Sequence, residues 1–432
     1  MDAPYGVDAV EAAMQSLLSV ASLMLSTALL LVGHGMQLTL LPLRANHVDM
    51  PEWVIGLSAS GYFLGFVAGC FSIPAIIGRV GHIRCFAVLA AAMISVILCL
   101  EMLDEWQAWL VLRFVTGVAV CGLYAAIESW LTSQSTPDSR GRILASYTFI
   151  TLIAMTGGQF LINLGPIESS TPFAVAAVFM ALAIIPVGLT RRMAPAPVPP
   201  THGGFKLLYR RSHSAFLGAL LSGLVMGSFW SLGALFASRD GQPQVEVTWF
   251  MSVAITGGAL LQYPLGWLSD RFDRRRILIL LCCGASVSSV AVAISVQQSW
   301  HLATVFMFGA MSMPIYAISL ATAADVSSSD EFVSMGTAVL LLHSVGAVVA
   351  PLALGQVMST FGAVSLFWSF AILQIMFSGL LYLVTRKPRE VTVEDQTPFA
   401  SVAAESAPQS FELDPRAPEL EEEDPSLDAG IS

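Results

Sequence analysis

Long apolar runs alternate with short polar breaks along the chain, and the pattern predicts twelve membrane-crossing helices between Leu17 and Val384. Crossing the hydrocarbon of a bilayer takes about 20 predominantly apolar residues in a helix. Helix 1 is expected from about Leu17 to Leu43, helix 2 from Trp53 to Ile77, and helix 3 from Ile83 to Leu100. Helix 4 follows from Trp106 to Thr132, helix 5 from Ile143 to Leu164 and helix 6 from Pro172 to Leu189. Helices 7 to 12 are expected to begin near Ala215, Val247, Ile277, Leu302, Ser334 and Val364. The stretch Arg191–His213 (RRMAPAPVPPTHGGFKLLYRRSH) splits the pattern into two sets of six, and its prolines favour extended, solvated backbone, so it reads as a linker. The expected organisation is an N-terminal segment 1–16, a six-helix half 17–190, the linker 191–213, a second half 214–385 and a tail 386–432.

Composition agrees. Of 432 residues, 55% are hydrophobic and 12% charged, far too apolar for a water-soluble fold of this length. The net charge of −10 is concentrated in the tail, where twelve acids and four bases give −8 and leave about −2 elsewhere, so no nucleic-acid partner is expected. Acidic, proline-containing and poor in aromatics, the tail is expected to be disordered. The start, MDAPYGVDAVEAAM, lacks the positive region of a cleaved signal peptide. The six cysteines lie in or beside apolar runs and are expected to be free thiols. No zinc-type spacing, phosphate-binding loop or nucleophile elbow is present, so neither a cofactor nor an enzyme is expected, and the longest loop, the linker, is too short for an active site.

Lysine and arginine placement sets orientation. With the N-terminus in the cytoplasm, seventeen of the twenty bases fall inside; Arg44 and Arg239 face out and Arg113 lies within helix 4. Both termini are thus expected in the cytoplasm, with the chain in a bacterial inner membrane.

The chain also repeats itself at an offset of 192 residues. Gly35 meets Gly227, Gly65 meets Gly257, Arg79 meets Arg271, Phe114 meets Phe306, Gly117 meets Gly309 and Tyr124 meets Tyr316. Between helices 8 and 9 lies GWLSDRFDRRR (Gly266–Arg276), and its degraded copy between helices 2 and 3 is PAIIGRVGHIR (Pro74–Arg84). A helix–Gly-x-x-x-Asp-Arg–turn–Arg-Arg pattern at such a turn resembles the loop 2–3 signature of the major facilitator superfamily. Arg113 with Gly117 matches that family's helix-4 motif, and RFVTGVAVCGLYAAIESWL followed by SRGRILASY is similar to its YcaD-like branch. The resemblance implies an all-α integral membrane fold of two six-helix halves related by a pseudo-twofold axis along the membrane normal, rocking about a central solute site. It also implies that Asp270 and Arg271 latch the halves on the cytoplasmic side, with Arg274, Arg275, Arg79 and Arg84 in the same gate. Asp273 stands where a glycine is usual and Gly78 replaces the aspartate of the first copy, which puts a latch there in question; the arginines also serve as positive-inside anchors.

Helix 4 carries Arg113, Gly117, Cys121, Tyr124 and Glu128 at spacings of 4, 4, 3 and 4, on one face. An arginine in hydrocarbon costs at least about 3 kcal/mol, so Arg113 must face protein or water and have a partner. Arg113 and Glu128 are about 22 Å apart by helix rise and cannot pair. His34 and Gln37 of helix 1 are candidate partners for Arg113, and Arg140 and Arg142 for Glu128. Arg113, His34 and Glu128 then form a proton or anion relay; alternatively His34 is a packing residue and Glu128 a salt-bridge partner at the rim. The second half offers Ser222, Met226 and Trp230 on helix 7 and Met313 and Tyr316 on helix 10. A charged wall facing a Met/Tyr/Trp wall suits an amphipathic organic solute, with packing as the alternative role of those residues. Gly61, Gly65 and Gly69 form consecutive small-residue steps on helix 2, suited either to sliding against helix 11 across the half interface or to static packing. Gly117 and Gly309 belong to the same packing set. The expectation is a monomeric secondary transporter of a small organic solute, proton-coupled and exporting. An uncoupled facilitator or a proton symporter for uptake is the alternative, and a non-transporting receptor the different class.

Overall fold

The structure is a computed structural model; it describes residues 5–189, 204–386, 391–400, 406–414 and 416–417. Residues 191–203 of the linker, and 387–390, 401–405, 415 and 418–432 of the tail, lie outside the described residues. Every regular element among the described residues is helical. Among the described residues twelve helices are long and apolar enough to span a membrane: helix 1 Val20–His47, helix 2 Glu52–Val80, helix 3 His82–Met102, helix 4 Trp106–Ser133, helix 5 Ser139–Leu164 and helix 6 Thr171–Gly188. The second half contributes helix 7 His213–Ala237, helix 8 Gln244–Arg271, helix 9 Arg274–Ile294, helix 10 His301–Ala324, helix 11 Phe332–Phe361 and helix 12 Ser365–Thr385.

Where ends differ from the sequence reading, local polar chemistry explains the difference. Helix 9 starts three residues before Ile277 because the Asp273 side chain accepts from the Arg275 amide, an N-cap bond. That cap also accounts for an aspartate where the signature has glycine. Helix 1 continues back to Tyr5, well before the expected start at Leu17; Glu11, Ala12, Ala13, Met14 and Gln15 are strong helix formers. The linker's Phe205–Arg211 is helical, beyond the proline run. Helix 10 breaks between Ser312 and Pro314, since the proline has no N–H for the ladder.

The repeat in the sequence is a repeat of contacts. A Cβ on Gly65 would lie 2.0 Å from the Phe114 carbonyl, and one on Gly257 would lie 2.1 Å from that of Phe306. A Cβ on Gly117 would meet the Tyr62 carbonyl at 1.9 Å, and one on Gly309 that of Ala254 at 1.9 Å. Gly35 abuts Met155 and Gly227 abuts Ala347. Both partners in each pair are shifted by the same 192 residues, so helices 2 and 4 interlock as helices 8 and 10 do, and helices 1 and 5 as helices 7 and 11 do.

This packing corrects one expectation. Gly61, Gly65 and Gly69 face helix 4, through Leu110, Phe114 and Cys121, and not helix 11. The surface of helix 2 that meets helix 11 is nearer its start, where Gly56 abuts the Pro351 carbonyl and Gly355 of helix 11 abuts the backbone of Glu52.

Helix 1 leaves the face carrying the termini and twelve passes return the chain to it. On the opposite face the halves are bound together. The Ser359 hydroxyl donates to Glu52 Oε2 (2.8 Å), Asn163 Nδ2 donates to Thr248 Oγ1 (3.0 Å), and Phe160 meets Trp249 edge-on at 5.1 Å. On the termini face two described stretches of the tail, 391–400 and 406–414, lie between them, and these stretches depart from the expectation of a disordered tail. Its apolar positions are the reason: Ala407, Phe411 and Leu413 are fully buried, and the Phe399 ring lies against Gly266.

Candidate solute and proton pathway

A cleft lies between the halves, lined from the first half by Gln37, Tyr62, Trp109 and Arg113 and from the second by Trp230 and Ser231. Arg113 therefore points into the molecule. Its guanidinium sits over the Tyr62 ring, 4.5 Å from the centroid, and forms no ion pair among the described residues. Tyr62 also stacks on His34, with centroids 6.2 Å apart and planes inclined by 28°. The ring of Tyr62 thus joins the two residues that the sequence proposed as direct partners. The same residue lends its carbonyl to the Gly117 contact, so the helix 2–helix 4 interlock also fixes the stack. Gln37 is 1% exposed, lines the same cleft, and its carboxamide lies within hydrogen-bonding reach of the His34 imidazole. A buried carboxamide on a cleft wall, with a donor and an acceptor beside an imidazole, is suited to a polar solute group.

Toward the termini face, Glu128 is fully buried. Its Oε1 accepts from the Tyr147 hydroxyl (2.9 Å) and its Oε2 from the backbone amide of Ala407 in the tail (2.9 Å). Glu128 is thus deep in the interface and not at the rim. Tyr147 lies in the quoted SRGRILASY run, and the sequence reading passed over it because a lone tyrosine in an apolar helix carries no spacing signal. Tyr124 is buried on the same face of helix 4. Across the interface, Tyr316 lies within electrostatic reach of Glu128 and packs edge-on to His343 at 5.1 Å. Met226 is buried in the core, and Met313 packs on helix 8 against Gly258, so of the apolar wall only Trp230 lines the cleft.

The charged turn forms a network inside the second half. Arg274, 1% exposed, holds Asp270 through Nη2 (2.6 Å), and its Nη1 donates to Asp325 and to the Ala321 carbonyl (3.1 Å). Arg275 pairs with Asp273 (3.2 Å), and Arg271 lies exposed over Trp267 at 3.7 Å. The tail completes the network: Thr397 donates to Asp325 through its amide and its hydroxyl (3.0 Å each), and the Phe399 amide to Asp270 (3.1 Å). In the first half the corresponding positions are Gly78, His82 and Ser133. There His82 Nε2 meets Ser129 Oγ at 3.0 Å, a neutral substitute for the Arg274–Ala321 contact, while Arg79 and Arg84 are exposed.

The chain matches the model of the Major Facilitator Superfamily over residues 23–241 and again over 215–416. The chain belongs to the Major Facilitator Superfamily. It is 27% identical over 368 residues to an uncharacterised MFS-type transporter of Yersinia enterocolitica, covering 84% of this chain and 93% of that protein. It is 27% identical over 315 residues to the MFS-type transporter YcaD of Escherichia fergusonii, covering 72% and 82%. These relatives place it in the YcaD-like branch. Its fold is similar to that of the nucleoside transporter NupG (TM-score 0.74, 12% identity, 86% of this chain and 100% of that one). It is also similar to a bacterial homologue of the human lysosomal transporter Spinster (TM-score 0.69, 16% identity, 88% and 97%). As a member of this superfamily the chain is a multi-pass membrane transporter and not an enzyme.

Among the described residues of the tail, Glu412 is a titratable group with an unusual environment. Burial pushes the Glu412 carboxyl up to about 7, with Arg140 opposing the rise. The seated tail thus holds a proton more tightly than a free tail, whose glutamate titrates near 4.5. Seating is therefore favoured below that lower value and weakens as pH rises toward 7 and beyond. Limited proteolysis in lipid nanodiscs is expected to cut the tail faster at pH 8 than at pH 6, and Glu412→Gln is expected to remove most of that difference.

Proposed function

We propose that the protein is a proton-coupled exporter of a small amphipathic organic solute, working as a monomer by rocker-switch alternating access in a bacterial inner membrane with both termini in the cytoplasm. The observation that carries the reading is the His34–Tyr62–Arg113 stack beside the buried Gln37 carboxamide, facing Trp230 of the other half. Arg113 offers positive charge, Gln37 a donor and an acceptor, and Trp230 an apolar surface, which together suit a solute with a polar or anionic end and an apolar body. Glu128 supports coupling. It is a buried carboxylate reached by a phenol from one side and by a tail amide from the other, about 22 Å along helix 4 from Arg113. Protonation would remove a charge from the interface, which lets the halves close on that side at lower cost. Orientation rests on the seventeen of twenty lysines and arginines that fall on the termini side.

The test has two stages. A thermal-shift screen of metabolites on purified protein identifies binders, since a ligand of the folded state raises its apparent stability. A binder is then loaded into proteoliposomes and an imposed pH gradient is expected to drive its movement, with Glu128→Gln uncoupling flux from the gradient. Flux that persists unchanged with the gradient collapsed identifies a facilitator and overturns the coupling.

A further inference from the structure

We propose that the mouth between the halves on the termini face is a peptide-binding site whose occupant is the chain's own tail, seated as a plug that keeps that face from closing. The inference goes beyond the transport reading and depends on neither the solute nor the coupling ion.

The tail touches both halves. In the first, the Ala407 amide occupies an oxygen of Glu128. In the second, the Phe411 ring fills the space over Gly336 of helix 11, where a Cβ would lie 2.7 Å from the ring, and the turn Ser410–Leu413 packs on helices 4, 5 and 11. Upstream, Phe399 fills the space over Gly266 of helix 8, where a Cβ would lie 2.2 Å from the ring, and Thr397 and Phe399 donate backbone amides to Asp325 and Asp270. Two aromatic rings over two glycines, with carboxylates satisfied by tail amides, make a built receptor and not an incidental contact.

The consequence for alternating access is steric. Closing the termini face brings helices 4 and 5 toward helices 10 and 11, and Ser406–Asp414 fills the volume they would enter. The tail must leave before the halves can close there. It also competes directly for Glu128, because the oxygen that holds Ala407 is one a solute or a proton would use. The ligand chemistry of the site is therefore a peptide with a free backbone N–H at one position, a helical turn after it and an aromatic side chain four residues later.

The experiment uses the full-length chain in nanodiscs with its native cysteines replaced. Gly336→Cys with Phe411→Cys puts two thiols where ring and glycine now touch, and mild oxidation is expected to link them within the chain; no link overturns the seating. A separate reporter, Ala59→Cys, sits buried beside the cleft on the opposite-face side. An impermeant maleimide reaches it only when the opposite face opens. Ending the chain at Arg386 is expected to speed its labelling about tenfold, as a plug that biases one of two states requires. A synthetic peptide of residues 391–417 added to the shortened chain is expected to slow it again. Equal labelling with and without the tail overturns the plug even where the cross-link forms. No readout involves solute flux, so failure here is distinct from failure of the transport reading.

Discussion

Replacing Gly117 by leucine is expected to leave almost no folded protein recoverable in detergent, while the same change at Gly379 is expected to be tolerated. A Cβ at Gly117 would lie 1.9 Å from the Tyr62 carbonyl and 2.7 Å from the Phe66 amide. Both are backbone atoms of helix 2, so no rotamer change can make room and the helices must part. The contact is reciprocal, because three residues away the Gly65 position meets the Phe114 carbonyl at 2.0 Å. Parting the helices therefore breaks two close approaches together. Between membrane helices such approaches are a main source of association, since lipid tails are as apolar as leucine. Overpacking by single methylenes costs about 1–3 kcal/mol in well-packed cores, and a leucine adds four carbons. Gly117→Ala already brings the clashing Cβ and is expected to be strongly destabilised as well, though less than the leucine. Gly379 has nothing within 4 Å of its Cβ direction, so a side chain there meets lipid. Gly309→Leu is expected to match Gly117→Leu, because it repeats the contact in the second half. Size-exclusion recovery and thermal melting read all four variants; a wild-type profile for Gly117→Leu would refute the interlock.

The glycines show how much of the fold could be read from the chain. Their period of 192 residues marked Gly65, Gly117, Gly257 and Gly309 as a set, and the apolar runs placed all twelve helices to within a few residues. Spacing could not say which neighbour each small residue meets. The Gly61–Gly65–Gly69 stripe of helix 2 suits any close partner, and the choice of helix 4 over helix 11 is made by tertiary packing. The site divides in the same way. Arg113, Glu128 and Gln37 stood out because a charge or an amide in an apolar helix is costly and demands a partner. Tyr62 and Tyr147, which hold them, did not, because a tyrosine in such a helix is unremarkable on its own. The tail was misjudged for a compositional reason. Its average is acidic and polar, yet four apolar residues at the right separations are enough when a mouth with two bare glycines receives them.

Removing the guanidinium in Arg113→Ala is expected to abolish gradient-driven solute movement, a loss of about 100-fold or more, in a chain that still folds and melts near the native temperature. The magnitude follows from a comparison of costs. A desolvated arginine in a membrane helix costs at least about 3 kcal/mol. The Tyr62 ring returns about 2 kcal/mol as a cation–π contact. No carboxylate pairs with Arg113 among the described residues to meet the difference. The remaining attraction is directed into the cleft, where Gln37 and Trp230 also face. Alanine removes the cost along with the attraction, which is why stability changes little while solute binding is lost at 1.4 kcal/mol per factor of ten. Arg113→Lys separates charge from shape. It keeps the positive charge but not the planar group that lies flat on Tyr62, and a loss of about tenfold is expected. Tyr62→Phe keeps the ring and is expected to transport nearly as well as the native chain, whereas Tyr62→Leu is expected to approach Arg113→Lys. Flux into proteoliposomes under an imposed pH gradient, together with thermal shift by the same solute, ranks the four. Native flux in Arg113→Ala would mean that the solute passes elsewhere, and equal loss in Tyr62→Phe and Tyr62→Leu would mean that the ring matters only through its hydroxyl.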